Sequence, residues 1–103
     1  MKSKVNNEQR RKAEQVTAKV LELLGDVTLE EVQSRRRTPR ITTARYLIMW
    51  VLYAVCRYSS TEVATLIGRD HSTVLYGVQN VNIWRTLPKA YAKEVRITKH
   101  FKP

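Results

Sequence analysis

The sequence predicts an all-α fold, a compact domain of about five or six helices that contains a helix-turn-helix. Apolar residues recur at helical spacing in several segments of the chain. Glycine and proline number only three each in 103 residues, which leaves little turn chemistry for a many-stranded β fold. Hydrophobic residues make up 43% of the chain, enough for a single folded domain over residues 1–103.

Three helices are predicted in the first half of the chain. The first covers residues 8–24, where apolar side chains recur three and four positions apart up to the stop at Gly25. Thr28 and Glu31 form a capping box that opens a short second helix. The third, at about 43–57, carries a broad apolar stripe that marks it as the central helix of the core.

The second half predicts a helix-turn-helix at about 59–84. Ser59 and Glu62 form a further capping box, and the short helix that they open ends at Gly68. Asp70 is a good N-cap for the next helix, at about 71–84. The apolar positions expected to be buried in that helix are Val74, Leu75, Val78 and Val81. In this motif the second helix is the one that enters a major groove of DNA.

A basic extension follows over residues 85–103. It holds six basic residues against one acid, Glu94, and Pro88 stands near the first position of a weaker predicted helix at 88–100. The pattern does not decide between a helix packed on the domain and a free basic tail.

The charge balance of the whole chain is strongly basic. Lys and Arg outnumber Asp and Glu by 19 to 9, for a net charge of +10. Such an excess favours polyanionic partners, nucleic acid first and an anionic membrane second, with a charge that only keeps the protein soluble as the alternative. The longest near-apolar run, Tyr46 to Cys56, has 11 residues and is too short to span a bilayer, so no membrane partner is expected.

The same composition argues against cofactor chemistry. Cys56 is the only cysteine, which excludes an internal disulfide and a thiolate zinc site, and a buried thiol is expected there. His71 and His100 lack metal-ligand spacing, so no metal is expected. The polar first residues carry no signal-peptide core, and with the single thiol they favour a cytoplasmic, nucleoid-associated protein.

A basic loop is predicted over residues 34–42. Between residues 34 and 45 the chain has five arginines and no acid: Arg35, Arg36, Arg37, Arg40 and Arg45. Flexible arginines suit phosphates or a narrow, electronegative minor groove. The alternative is a solvated run of charge with no ligand.

Polar side chains cluster where the second helix of the predicted motif begins. Free backbone N–H groups and the helix dipole favour phosphate there. Asp70 can accept from a cytosine or adenine amino group, and the His71 ring and Thr73 methyl can lie against a thymine methyl. The cluster comprises Arg69, Asp70, His71, Ser72 and Thr73. As alternatives, Asp70 is only a cap and His71 only a surface residue.

An enzyme is not indicated anywhere in the sequence. Asp70, His71 and Ser72 are consecutive, so on a helix they fan out around the axis and cannot form a catalytic triad.

Residues 68–74, Gly-Arg-Asp-His-Ser-Thr-Val, resemble the signature of the C-terminal duplex-DNA-binding domain of DnaA, the bacterial chromosomal replication initiator. The likeness extends to the basic loop Ser34–Arg37, to Arg45 near the start of the long helix, and to the Ser59–Glu62 capping box. It covers roughly residues 13–83. It implies an all-α helix-turn-helix fold that is similar to the Trp repressor.

The resemblance also implies roles for individual residues. Arg37 and Arg36 would enter the minor groove beside the box, and Arg45 would contact phosphate or a nearby base. Thr61 would contact a thymine methyl and the backbone from the start of a helix. In the major groove, bases would be read by Asp70, His71 and Thr73, with Ser72 placed between base and phosphate.

Four departures from the family pattern stand out. One glycine, Gly68, precedes the Arg-Asp-His where the family has two, so a shorter turn is expected. Thr61 replaces a common proline, and Gln79 and Asn80 replace basic residues. No Walker A loop occurs in the 103 residues, so we expect no nucleotide cofactor and no ATP-driven origin melting.

Taken together, the residues predict sequence-specific binding of double-stranded DNA, and the resemblance implies that the sites are initiator-box-like. Such a protein, from a bacterium, a phage or a mobile element, would regulate replication or transcription, with a homodimer or a replication protein as further partner. One alternative is a protein-interaction adaptor, which exposed rings at Trp84, Tyr91 and Phe101 would favour. Another is non-specific RNA or DNA binding through the arginine loop and the basic tail.

Overall fold

Six α-helices make up the regular structure of the described part of the chain, residues 4–102 of a computed structural model. A π-helical segment, Val51–Val55, continues the third helix directly. The helices are α1 Asn7–Leu24, α2 Leu29–Gln33, α3 Pro39–Trp50, α4 Ser60–Ile67, α5 His71–Arg85 and α6 Ala92–Phe101. The all-α prediction is confirmed. Residues 1–3 and Pro103, at the ends of the predicted 1–103 domain, lie outside this description.

Helix α3 is the centre of the core and contacts α1, α2, α5 and α6. Four consecutive α3 side chains are at most 2% exposed: Leu47, Ile48, Met49 and Trp50. The Trp50 indole N–H donates to Asn82 Oδ1 at 2.9 Å, and the Arg85 guanidinium lies 4.8 Å from the centre of the Trp50 ring. These contacts fix α5 against α3. No helix of residues 4–102 has the length and hydropathy of a membrane span.

Three helices begin with a capping box, in which the side chain of each of two residues three positions apart accepts a hydrogen bond from the backbone N–H of the other. The boxes of Thr28 with Glu31 and of Ser59 with Glu62 are confirmed. A third box, of Asn6 with Gln9, opens α1 and was not predicted. Each box satisfies backbone donors that a helix start otherwise leaves open.

The predicted end of the basic loop and the predicted start of the third helix are both wrong because Pro39 begins this helix. Helix α3 begins at Pro39 rather than about 43, so the predicted loop 34–42 ends at the extended Thr38. Proline suits the first helical position because its fixed φ is already helical and the N–H that it lacks would have no partner there. Arg40 therefore belongs to the first turn of α3.

The C-terminal extension is folded, and its helix starts later than predicted. Helix α6 begins at Ala92 rather than 88, and its Val95, Ile97 and Thr98 side chains are buried. The burial predicted for Leu75 is wrong, since this side chain is 37% exposed. The buried stripe of α5 is narrower than the sequence suggested and consists of Val74, Gly77, Val78 and Val81.

Arg57 has a left-handed backbone conformation, with φ of 63°, two residues after the end of the π-helical segment. A side chain in this region costs about 1–2 kcal/mol, whereas glycine adopts it without a steric penalty. We expect Arg57→Gly to raise the free energy of unfolding by about 0.5–1 kcal/mol, after the entropy that glycine adds to the unfolded chain. Urea denaturation of Arg57→Gly beside Arg57→Ala, which removes the same charge but keeps the strain, tests this. A gain in both variants, or in neither, would contradict it.

Candidate nucleic-acid interface

Helices α4 and α5 meet at a three-residue turn, Gly68–Asp70. Gly68 ends α4 with φ of 69°, and its N–H donates to the Ala64 carbonyl. Asp70 returns to an extended conformation, with φ of −73° and ψ of 147°, and α5 begins at the next residue. This is the geometry of a helix-turn-helix, as predicted.

Polar side chains cover the first turn of α5 and point into solvent. Asp70, His71, Ser72 and Thr73 are all exposed. The carboxylate of Asp70 and the ring of His71 are 70% and 57% exposed, and their Oδ1 and Nδ1 atoms lie 3.9 Å apart. A carboxylate, an imidazole and two hydroxyl groups are therefore presented together at one helix end.

The Asp70 side chain does not cap α5, although the residue occupies the N-cap position. Its carboxylate instead accepts a short hydrogen bond from the Ser72 hydroxyl. This hydrogen bond is the main reason that the pKa of Asp70 lies below its ordinary value. The carboxylate is therefore ionised, oriented by its neighbour and able to accept from a ligand.

The chain from Arg35 to Thr38 forms an exposed loop between α2 and α3. Within residues 4–102, neither Arg35 nor Arg37 forms an ion pair. Arg36 lies 3.9 Å from the Glu31 carboxylate, and its side chain is 69% exposed. Three cationic side chains thus extend into solvent from one short loop.

Arg40 differs from these three because it is tied to α2. Its Nη2 atom lies 2.7 Å from Glu31 Oε2, its Nη1 atom lies 3.2 Å from Oε1, and it also donates to the Asp26 carbonyl. The Arg40 guanidinium, with the Thr28 backbone N–H, lowers the pKa of Glu31 to about 2. The pair therefore stays ionised at neutral pH, and part of the Arg40 charge is neutralised.

Arg45 lies beneath the loop and not at the surface. The family resemblance implied a contact with phosphate, which would place it at the surface. Arg45 is 8% exposed, and its guanidinium donates to four backbone carbonyls. Those carbonyls belong to Glu31, Val32, Ser34 and Arg36. Burial, and then the neighbouring charges of Arg69 and Arg37, lower its pKa from its ordinary value. Because a guanidinium is a fixed fork of donors, Arg45 holds the end of α2 and the loop in one shape.

Arg69 joins this loop to the turn of the helix-turn-helix. Its Nη2 atom donates to the Ser34 carbonyl at 2.8 Å, and the same carbonyl accepts from Arg45 at 2.5 Å. The arginine loop and the first turn of α5 are therefore connected through one oxygen atom. The sequence predicts both parts but not the connection between them. Every residue has a backbone carbonyl, so the residue types do not show which carbonyl accepts these hydrogen bonds.

Thr61 lies in the first turn of α4, at the end of this helix away from Gly68. Its hydroxyl oxygen lies 3.2 Å from that of Ser59, and its carbonyl accepts from the Thr65 hydroxyl at 3.0 Å. Thr61 comes six positions before Ile67, or about 9 Å along the helix axis. Thr61 therefore lies apart from the cluster at the turn.

The rings that would favour an interaction adaptor are half-buried. The Trp84 and Tyr91 rings stack with centroids 5.4 Å apart, and the Tyr46 ring packs beside Trp84 at 6.3 Å. Phe101 packs against the core. The rings of Trp84, Tyr91 and Phe101 therefore stabilise the fold. They are not the fully exposed rings that would favour an interaction adaptor.

The chain is similar in sequence to known proteins of one family. The family model described as bacterial dnaA protein helix-turn-helix matches residues 13–81. Relatives named chromosomal replication initiator protein DnaA include that of Mesoplasma florum, 33% identical over 76 residues, or 73% of this chain. That of Chloroflexus aggregans is 30% identical over 80 residues, or 75% of this chain. The chain spans only 17% and 16% of the lengths of these two relatives. All the predicted DNA-contacting residues lie within the matched range, and α6 lies beyond it.

Proposed function

We propose that this chain, which belongs to the bacterial DnaA helix-turn-helix family, binds particular double-stranded DNA sequences, boxes of the kind that replication initiators recognise. DNA binding itself follows from membership of the family. Recognition of particular boxes is supported above all by the exposed first turn of α5, where carboxylate, imidazole and two hydroxyl groups face solvent together. Groups of these kinds discriminate between base edges in a major groove.

The two parts of the interface have different tasks in this proposal. Asp70, His71 and Thr73 read bases in the major groove, and Ser72 orients the Asp70 carboxylate while reaching phosphate. The loop cations at 35–37 bind phosphates or enter the adjacent minor groove. Arg40 adds a weaker charge because Glu31 pairs with it.

Two further arginines act by positioning. Arg45 and Arg69 share the Ser34 carbonyl, so the spacing between the loop and the first turn of α5 is set before DNA arrives. A preorganised interface spends less binding free energy on ordering its side chains. Thr61 contacts the DNA backbone from the start of α4.

The proposed role is regulatory. A protein bound at an initiator box occupies a site at which a replication or transcription complex would assemble, and it is then associated with the nucleoid. One helix-turn-helix reads only a short site, so a second copy bound at a neighbouring half-site, or a replication protein, is the partner that we propose.

Fluorescence anisotropy with an initiator-type box and a scrambled duplex of the same length tests the proposal. At near-physiological salt, we expect the box to bind tighter by about tenfold or more, since one good base contact is worth about 1–3 kcal/mol. His71→Ala should reduce the ratio of the two affinities by about fivefold or more. His100→Ala removes the chain's other histidine, on α6, and should leave the ratio unchanged. Equal affinity of the unmodified protein for both duplexes would contradict box recognition.

A further inference from the structure

Helix α6 presents a row of unpaired basic side chains to solvent. At 100° per residue, Lys93, Arg96 and Lys99 fall within an arc of about 120° around the helix. All three are exposed, and none forms an ion pair within residues 4–102. Lys89 and Lys102, just before and just after the helix, are also exposed and form no ion pair in that part of the chain. We call Lys93, Arg96 and Lys99 the α6 row.

The opposite side of α6 is packed into the core, so the row is held in place. Val95, Ile97 and Thr98 are 5%, 4% and 1% exposed. The stacked rings of Trp84 and Tyr91 fix the chain where it enters the helix. The basic side chains therefore project from a docked helix rather than from a free tail.

The chemistry of the row suits a chain of phosphates. Lys93, Arg96 and Lys99 follow one another at a rise of about 4.5 Å, so the three charges extend over about 9 Å of helix axis. Double-stranded DNA carries one negative charge per about 1.7 Å of its axis. Several phosphates therefore lie within the length of duplex that the three cations cover. An anionic membrane fits less well, because a helix that lies on a membrane buries its apolar face in lipid. The apolar face of α6 is already used by the core.

The row follows the C-terminal end of α5, whereas the proposed interface lies at its N-terminal end. Helix α5 has 15 residues, so its first turn and its last residue, Arg85, are about 21 Å apart. Helix α6 begins beyond Arg85 and packs on α1, α3, α5 and the π-helical segment. We therefore expect a duplex bound at the first turn of α5 to leave the α6 row accessible to a second one.

We propose that the α6 row is a second DNA-binding site, independent of sequence, through which one copy of the protein holds a second duplex segment while α5 occupies a box. Such a protein links two DNA segments without needing to dimerise. Only the occupation of the first segment rests on the proposed function, since the α6 row binds phosphates whatever α5 reads.

A bridging assay with the full chain tests this proposal. A short box duplex is fixed to beads and saturated with protein, and the retention of a labelled scrambled duplex is measured. The test variant carries Lys93→Gln, Arg96→Gln and Lys99→Gln, which keep helix propensity. We expect it to retain less labelled duplex by about tenfold or more. Its affinity for the short box duplex alone should change by less than about twofold.

A matched control removes the same charge elsewhere. Arg10→Gln, Arg11→Gln and Lys12→Gln alter three exposed cations of α1 and should retain the labelled duplex as the unmodified protein does. The proposal is overturned if the α6 variant bridges normally, or if the α1 control loses bridging equally. It is also overturned if the α6 variant loses box affinity in parallel, because the row then belongs to the first interface.

Two further outcomes separate this inference from its rivals. Vesicles containing phosphatidylserine that displace the labelled duplex from the unmodified protein, yet do not bind the α6 variant, would assign the row to membranes instead. Bridging that depends on the α6 row, in a protein with no preference for the box, would support the second site and refute the proposed function of the first.

Discussion

Arg45→Met is expected to weaken binding to box and scrambled duplexes alike, by about tenfold or more, because it releases the arginine loop from its support. Methionine keeps the apolar stem and removes the donors to four backbone carbonyls. A hydrogen bond from a charged group is worth about 1.5–3 kcal/mol, so we also expect unfolding free energy to fall by about 2 kcal/mol. Anisotropy and urea denaturation measure the two effects.

Arg45→Lys separates support of the loop from direct contact with phosphate. Lysine keeps the positive charge but cannot reproduce the planar fork that reaches several carbonyls at once. If Arg45 acts as a support, the lysine variant binds DNA as poorly as the methionine variant. Restoration of binding by lysine would show instead that a point charge on phosphate is what matters. Arg40→Met, which removes a guanidinium paired with Glu31 at the surface, is the control and should have the smaller effect.

Gly77→Ala is expected to lower the free energy of unfolding by about 1 kcal/mol, although alanine is the better helix former. A Cβ atom at this position would lie 2.7 Å from Tyr46 Cδ1 and 2.8 Å from Met49 Sδ, both on α3. Overpacking of this kind costs about 1–3 kcal/mol, against a gain in helix propensity of about 1 kcal/mol. Gly77→Val should cost more, since it adds further atoms to the same contact.

Urea denaturation of Gly77→Ala beside Gln79→Ala tests this prediction. Gln79 is exposed on the same helix, and its replacement should change the free energy of unfolding by less than about 0.5 kcal/mol. A Gly77→Ala variant as stable as the unmodified protein would contradict the prediction. It would mean that the Tyr46 and Met49 side chains move aside without lowering the free energy of unfolding. Because Gly77 sets how closely α5 approaches α3, a shift there would also move the first turn of α5.

The parts of the structure that could be predicted from the sequence are those with local causes. A capping box joins residues three apart, so Thr28 with Glu31 and Ser59 with Glu62 were identifiable from spacing alone. The turn at Gly68 also has a local cause, because the left-handed conformation at the end of a helix favours glycine. The signature around it then identified the family.

The parts that could not be predicted depend on partners distant in sequence. Arginine is a residue type that commonly binds phosphate, so the sequence favours that role for Arg45. Only the fold shows that backbone carbonyls up to 14 residues away accept hydrogen bonds from its guanidinium. The exposure of Leu75 follows from the way α5 lies on α3, which the apolar pattern alone could not specify. The start of α3 at Pro39 was within reach of local reasoning, but the run of arginines favoured a longer loop.

The central claim, that the first turn of α5 reads bases while the loop holds the backbone, is tested most directly by selection of bound duplexes from a random pool. We expect the unmodified protein to enrich one short motif related to initiator boxes, and the His71→Ala protein to lose selectivity at one position of that motif. A pool that remains random after selection, or a motif that is identical for both proteins, would contradict the account.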